Sequence, residues 1–265
     1  MIGGGGPPGA GIGPNRRFFW VASYPRSGNT LVRIALNRIL QGPERQVALD
    51  EDFPEYDHRN AFPTNGVAFS GRGGPVVFLK THWCEPPETV PSIGGIYLVR
   101  HPIDVFLSGM NYLFLEHQKY EVFRLFFGEN GPQPVEQLAQ TGKLEHYLDR
   151  FVAEQGLWPF RLHSGTWVQN VLGWAGAPQP TMMIVRYEDL VQDLAGTISQ
   201  ILERAGIAVA EERLDRGIDQ ALAGTRPNGG FFWRGSIDTK SEFFTPARIR
   251  QVENALRPLV GSRFF

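Results

Sequence analysis

The run Tyr24-Pro25-Arg26-Ser27-Gly28-Asn29-Thr30-Leu31 places a guanidinium, several short side-chain donors and a glycine close together. That set of groups suits one kind of ligand, a phosphate or sulfate anion. The apolar residues before it, Phe18 to Ala22, read as a strand. After it, Leu31, Ile34, Ala35, Arg38 and Ile39 recur at helical spacing. A turn between strand and helix gathers backbone N–H groups and the positive end of a helix dipole at one point. Pro25 ends the strand ladder, Gly28 frees the turn from Cβ restriction, and Asn29 or Thr30 is expected to cap the helix. The stretch therefore reads as an anion cradle. The plain alternative is an ordinary strand-to-helix turn.

Further polar clusters stand where apolar runs end. Lys80-Thr81-His82 follows Pro75–Leu79, Arg100-His101-Pro102-Ile103-Asp104 follows Gly94–Val99, and Tyr187-Glu188-Asp189 closes the run from Thr181. Short continuous apolar runs are expected of strands buried on both faces. Between them, helical patterns cover Val105–Leu115, most of 116–160 around a break at Gly128–Pro132, Thr166–Trp174, Leu190–Ala205, Glu211–Leu222 and Pro246–Leu256. The alternation predicts an α/β fold: one domain with a central, mainly parallel β-sheet flanked by helices. Ligands of such sheets bind beyond the carboxyl ends of the strands, so the polar clusters should converge on one edge.

Other stretches are expected to be structural. Gln41–Gly74 should be irregular, broken by Pro43, Pro54, Pro63 and Gly66, with Phe53, Phe62 and Phe69 packing locally or lining a pocket. Trp167 and Trp174 share a helix face and read as core. Asp104, Glu188 and Asp189 suit helix starts better than metal coordination.

The bulk properties narrow the function. A chain of 265 residues with 42% hydrophobic content can bury a substantial core. Its net charge of -1 argues against a general nucleic-acid binder. Cys84 is the only cysteine, which excludes an intramolecular disulfide and cysteine-rich zinc sites. No apolar run approaches the ~18 residues of a membrane span. Residues 1–15 are rich in Gly and Pro and lack the apolar core of a signal peptide, so a flexible tail, a folded domain over 16–265 and a cytoplasmic home are expected.

Together these blocks resemble the sulfotransferases that use 3′-phosphoadenosine-5′-phosphosulfate (PAPS). Tyr24–Leu31 resembles their YPKSGTTW loop, a P-loop-like seat for the phosphosulfate. Leu79-Lys80-Thr81-His82 is similar to the segment that carries their catalytic histidine. Leu98–Val105, with Ser108 beyond it, resembles their 3′-phosphate-binding strand and helix. Ser164–Trp167 and Tyr187–Leu190 match further landmarks, and Phe231–Gly235 through Thr245 has the spacing of their C-terminal RKG…FT segment. The chain departs from the pattern at Arg26 (usually Lys), Asn29 (Thr), Leu31 (Trp), Trp233 (Arg) and Lys240 (Trp). Arg26 is similar to the RSG loops of carbohydrate sulfotransferases. The family's dimerisation motif is not recognisable, which leaves the oligomeric state open.

The resemblance implies a role for each residue. Arg26, Ser27, Gly28, Asn29, Thr30 and Leu31 would hold the phosphosulfate end of the donor, with Arg26 stabilising charge rather than donating a proton. His82 would be the general base, and Lys80 would hold sulfuryl oxygens or else form a structural ion pair. Arg100, Ser108, Arg234 and Gly235 would bind the 3′-phosphate, and Tyr187 would contact the adenine. PAPS is then the donor, PAP the product, and no metal is implied. The acceptor would be a small or glycosylated hydroxyl compound, walled by Gln41–Gly74, Trp83, the 112–135 region and Gly224–Phe232. The rival readings are a P-loop kinase, whose Walker A spacing and lysine are missing here, and a non-catalytic nucleotide-binding protein of the same fold.

Overall fold

Alternate residues of the first strand go to opposite faces of the sheet, and that alternation builds the layers of the molecule. In β1 (Arg17–Ser23), Phe18, Trp20 and Ala22 enter one buried cluster while Phe19 and Val21 enter another. This is the period-2 geometry of a strand covered on both sides. The computed structural model describes residues 16–265 except 43–46, 58–62, 64–65, 88–89, 91, 117–126, 128–130, 158–163, 177–180, 226–232 and 235–236. The expected tail and Phe62 lie outside the described residues.

After β1 come α1 (Asn29–Gln41), α2 (Leu49–Asp52), β2 (Ala68–Gly71), β3 (Gly74–Thr81), β4 (Ser92–Val99) and α3 (Pro102–Glu116). Helices Val135–Gln140, Lys143–Ala153 and Trp167–Ala175 precede β5 (Met182–Arg186). Helices Tyr187–Gln192, Leu194–Ala205, Glu211–Gly224, Lys240–Phe243 and Pro246–Val260 follow. The strands lie in the order β2-β3-β1-β4-β5. All neighbours are parallel except β2, which runs antiparallel to β3. One face is covered by α3 and the helices 143–153, 167–175 and 246–260, through Phe106, Leu148, Trp174 and Val252. The other is covered by α1 and the helices 194–205 and 211–224, through Leu36, Ile201 and Ile218. The single α/β domain with a mainly parallel sheet agrees with the sequence. Among the described residues no helix is long and apolar enough to cross a membrane.

Several local expectations are corrected. The stretch expected to be irregular contains both α2 and β2; only Phe69 of β2 is buried, so it carries almost no periodic signal. Phe53 and Phe69 are core, each with its ring centroid 5.9 Å from that of Phe78. β5 is an edge strand in which Val185 alone is fully buried, not a strand enclosed on both faces. Tyr187 opens the next helix instead of ending β5. The helix expected over 190–205 is two helices separated at Asp193, whose carboxylate accepts the Gly196 N–H at 2.8 Å. Trp167 and Trp174 are buried as expected, and Thr166 forms a capping box with Gln169 at the start of their helix.

Trp20 shows how little room the central strands leave. It is fully buried, with its ring 5.4 Å from Tyr56 and 5.7 Å from Trp174. A Cβ added at Gly95 on β4 would lie 2.6 Å from both the Cβ and the carbonyl oxygen of Trp20. Neither is the far end of a flexible side chain, so the β1–β4 pairing itself would have to shift. Gly95→Ala is expected to lower unfolding free energy in urea by about 2 kcal/mol or more.

Candidate active site

The strand order fixes where each polar cluster stands. β1 is central, so the turn after it is flanked by the end of β3 on one side and by β4 and then β5 on the other. With adjacent strands about 4.8 Å apart, the ends of β3 and β4 are separated by about 10 Å. A cavity of about 500 Å³ opens over these ends. Arg26, Gly28, Asn29, Thr30, Leu31, Lys80, His82, Arg100, Ser108, Tyr187 and Arg234 all line it. Ser27 lies buried in the same turn without lining the cavity. Gly235, Phe231 and Phe232 are outside the described residues. Trp83, expected in a pocket wall, does not line this cavity; its carbonyl accepts from Asn170 and Trp174.

The turn curls because two of its residues are left-handed, Arg26 at φ 71° and Gly28 at φ 101°. Glycine is needed at 28 on two counts: its φ, and a Cβ that would sit 2.8 Å from the Tyr187 ring. Gly28 is itself the N-cap of α1, which corrects the expectation of a cap from Asn29 or Thr30. The Asn29 side chain instead turns back to β1, donating to the Val21 carbonyl at 2.9 Å and to Ser23 Oγ at 3.2 Å. The Gly28 carbonyl is the first helical acceptor, so the amides of Asn29 and Thr30 point past the helix start. The Ser27 hydroxyl is fully buried and has no hydrogen-bond partner among the described residues. An orphaned hydroxyl beside outward amides fits an anionic group.

Two cations converge from the ends of β1 and β4, and α3 supplies their polar and aromatic partners. Arg26 Nε donates to Ser108 Oγ at 3.1 Å, and its guanidinium lies 4.9 Å from the centre of the Tyr112 ring. Arg100 stacks on Tyr187 at 4.1 Å and reaches the Arg26 carbonyl at 3.4 Å. Burial, and then the charge of Arg100, push the Arg26 pKa down to about 10. Arg26 stays protonated at neutral pH, but as a crowded cation that an anion would relieve. Its guanidinium thus sits with Ser108 and Arg100, the pair expected at the 3′-phosphate. Arg234 is at the exposed rim, 3.0 Å from Glu136 and stacked on Trp233 at 4.9 Å.

On the β3 side, Lys80 Nζ pairs with Glu55 at 2.7 Å while still lining the cavity. His82 is almost fully buried, and its Nδ1 lies 2.9 Å from the Ser23 carbonyl and 3.2 Å from Ser23 Oγ. A carbonyl only accepts, so the ring hydrogen lies on Nδ1 and the lone pair on Nε2. Asn170 holds the loop that follows by donating to the carbonyls of His82 and Ser164.

A family model described as a sulfotransferase domain matches residues 79–262. The chain belongs to the sulfotransferase family. It is 28% identical over 197 residues to a WSCD family member of Aedes aegypti, covering 73% of this chain and 52% of that protein. It is 26% identical over 207 residues to sulfotransferase 1E1 of Homo sapiens, covering 74% of this chain and 61% of that protein. The chain thus spans about half to three-fifths of the length of these curated relatives. Its fold is similar to that of a mouse sulfotransferase solved in complex with PAP (TM-score 0.59, 16% identity, covering 93% of this chain and 85% of that one). It is also similar to that of retinol dehydratase solved with androsterone and the inactive cofactor PAP (TM-score 0.55, 18% identity, covering 94% and 81%).

This sulfotransferase-family chain also uses groups the sequence did not single out. Ser23, Tyr112, Glu55 and the Arg33–Asp50 pair gather around the expected residues through contacts distant in sequence. Asp104, expected only at a helix start, is also an anchor: its carboxylate accepts from both the backbone and side chain of Lys240. His101 is buried against Glu253 at 3.2 Å, with its Nδ1 accepting from the Ile103 N–H. Burial, and then Lys240, push its pKa down to about 3, so this contact is a neutral N–H donating to a carboxylate rather than an ion pair.

Two predictions follow from these geometries. Arg26→Gly should leave the fold as stable as the parent or about 1 kcal/mol more so in urea, because it relieves the positive φ and the crowding with Arg100; binding of PAP should weaken at least about tenfold. His101 binds its proton more weakly folded (about 3) than unfolded (about 6.5), so its contribution is complete above pH 6.5 and is lost as pH falls toward 3. Stability measured at pH 7 and pH 5 should drop by up to about 2 kcal/mol more in the parent than in His101→Gln.

Proposed function

We propose that residues 16–265 form a domain that transfers a sulfuryl group from PAPS to the hydroxyl of a small or glycosylated acceptor. The observation that carries this reading is the contact of His82 Nδ1 with the Ser23 carbonyl beside an anion cradle. The Ser23 carbonyl takes the Nδ1 hydrogen, which leaves Nε2 basic in a ring that lines the cavity. Imidazole titrates near neutrality, which suits a general base for a hydroxyl.

The proposed roles run across the sheet in strand order. The Asn29 and Thr30 amides and the Ser27 and Thr30 hydroxyls hold the phosphosulfate, with Gly28 letting the backbone approach. Lys80 steadies the sulfuryl oxygens from the β3 side. Arg100, Ser108 and Arg26 hold the 3′-phosphate, with Arg234 and Gly235 closing over it. Tyr187, Leu31 and Trp233 offer apolar surface to the base. The acceptor oxygen forms its bond to sulfur as its proton passes to His82 Nε2. The bond from sulfur to the 5′-phosphate breaks, and PAP leaves with the bonding pair. PAP needs little protonation to depart, so a permanently charged Arg26 is compatible with the chemistry. Positioning and charge stabilisation supply most of the catalysis, as in phosphoryl transfer. The PAP-bound structural neighbours support this reading over a nucleoside triphosphate.

His82→Ala is expected to lower turnover of PAPS about 10²–10⁴-fold while PAP affinity by calorimetry stays within about twofold. Full turnover in that variant removes His82 as the base. In the same assay a magnesium chelator should change the rate little, whereas a kinase would stop.

A further inference from the structure

The cavity continues past His82 on the β3 side, away from Arg100 and Tyr187. There Arg33, Asp50, Glu55 and Lys80 form a charged cluster, with Arg33, Asp50 and Lys80 lining the cavity. Lys80 is engaged by Glu55. Arg33 is placed differently. Its residue is only 5% exposed, yet its ion partner Asp50 has a side chain 87% exposed, at 3.1 Å. A carboxylate in that setting is screened by water and exerts a weak hold. Nη1 also reaches the Leu49 carbonyl at 3.4 Å, and Arg33 Nε is buried with no acceptor among the described residues. Burial lowers the Arg33 pKa despite Asp50 and Glu55. The guanidinium sits one helical turn beyond Asn29 and Thr30, and helical side chains lean back toward the N-terminus, so it leans toward the turn that holds the transferring group.

The two ends of the cavity therefore have different tasks. The cations on the β4–β5 side serve the 3′-phosphate end of the donor and Lys80 its sulfuryl end, which leaves Arg33, on the same side as Lys80, as a cation without a donor role. We propose that Arg33 is an acceptor-binding residue that pairs with a carboxylate, making the preferred substrate an anionic hydroxy compound rather than a neutral alcohol or phenol. This inference rests on the sulfotransferase reading and concerns the same cavity. A planar guanidinium whose Nε has no acceptor among the described residues matches a carboxylate in two-point contact through its Nε–Nη2 edge, with Nη1 left on the Asp50 side.

The test compares 4-hydroxyphenylacetate and 3-(4-hydroxyphenyl)propanoate with their methyl esters. Binding is measured by calorimetry with and without PAP, and sulfuryl transfer by mass spectrometry. The acids are expected to bind at least about tenfold more tightly than the esters and to show the higher kcat/KM. Arg33→Gln should erase that difference with PAP affinity unchanged, and Arg33→Lys should restore part of it. Equal binding of acids and esters by the parent overturns the proposal. So does an equal loss for both in Arg33→Gln, which would mark Arg33 as structural. Absence of PAP binding would instead count against the sulfotransferase reading, while the acid–ester comparison without PAP still decides the role of Arg33.

Discussion

Gly28, the ring of Tyr187 and the guanidinium of Arg100 form a stack that ties together the ends of β1, β5 and β4, and the geometry of the cavity depends on it. The ring approaches Gly28 too closely to admit a Cβ, and its other neighbour is the arginine at 4.1 Å. Asn29 then fastens the same turn to β1, and Ser23, which receives one of those hydrogen bonds, positions His82 at the end of β3. The outward amides, the crowded cations and the His82 ring are therefore linked through the one turn after β1. None of these groups is placed by a flexible loop alone.

Much of this was legible in the sequence because it is written locally. Apolar runs followed by polar clusters announce strands whose ends converge, and the structure brings together every described residue of the expected site, with Ser27 just beneath its surface. The same local reading placed the cap of α1 on Asn29 or Thr30, since both residue types favour that role. The side chain of Asn29 found stronger acceptors on β1, and the left-handed Gly28 took the cap. β2 escaped notice because four residues with one buried phenylalanine hold no pattern. Ser23, Glu55 and Arg33 escaped because their importance lies in pairings across the fold, and a single sequence records no pairings.

The charges are distributed unevenly for a reason. Arg26 and Arg100 face each other in a buried place, where mutual repulsion and desolvation both act. Arg234 is held at the rim by Glu136 and Glu242 at separations of 3.0 and 3.6 Å, in solvent that screens all of these charges. A deep pair of cations with a shallow one screened by solvent gives a site whose attraction for an anion is less screened at its floor than at its rim. A ligand entering from the rim meets progressively less competition for its charge as it descends.

The buried carboxylate of Asp104 and the imidazole of His101 both find partners very late in the chain, 136 and 152 residues further on. Lys240 and Glu253 come from the two helices that end the α/β layering, and they close over the start of α3, beside Arg100. During synthesis the sheet, the anion turn and His82 emerge first, while one wall of the cavity still lacks its polar partners. A nascent chain halted before residue 240 would lack the two Lys240 hydrogen bonds that anchor the buried Asp104 carboxylate and would hold it only against Arg100. The order of synthesis thus delays completion of this wall of the cavity until nearly all of the described chain has emerged.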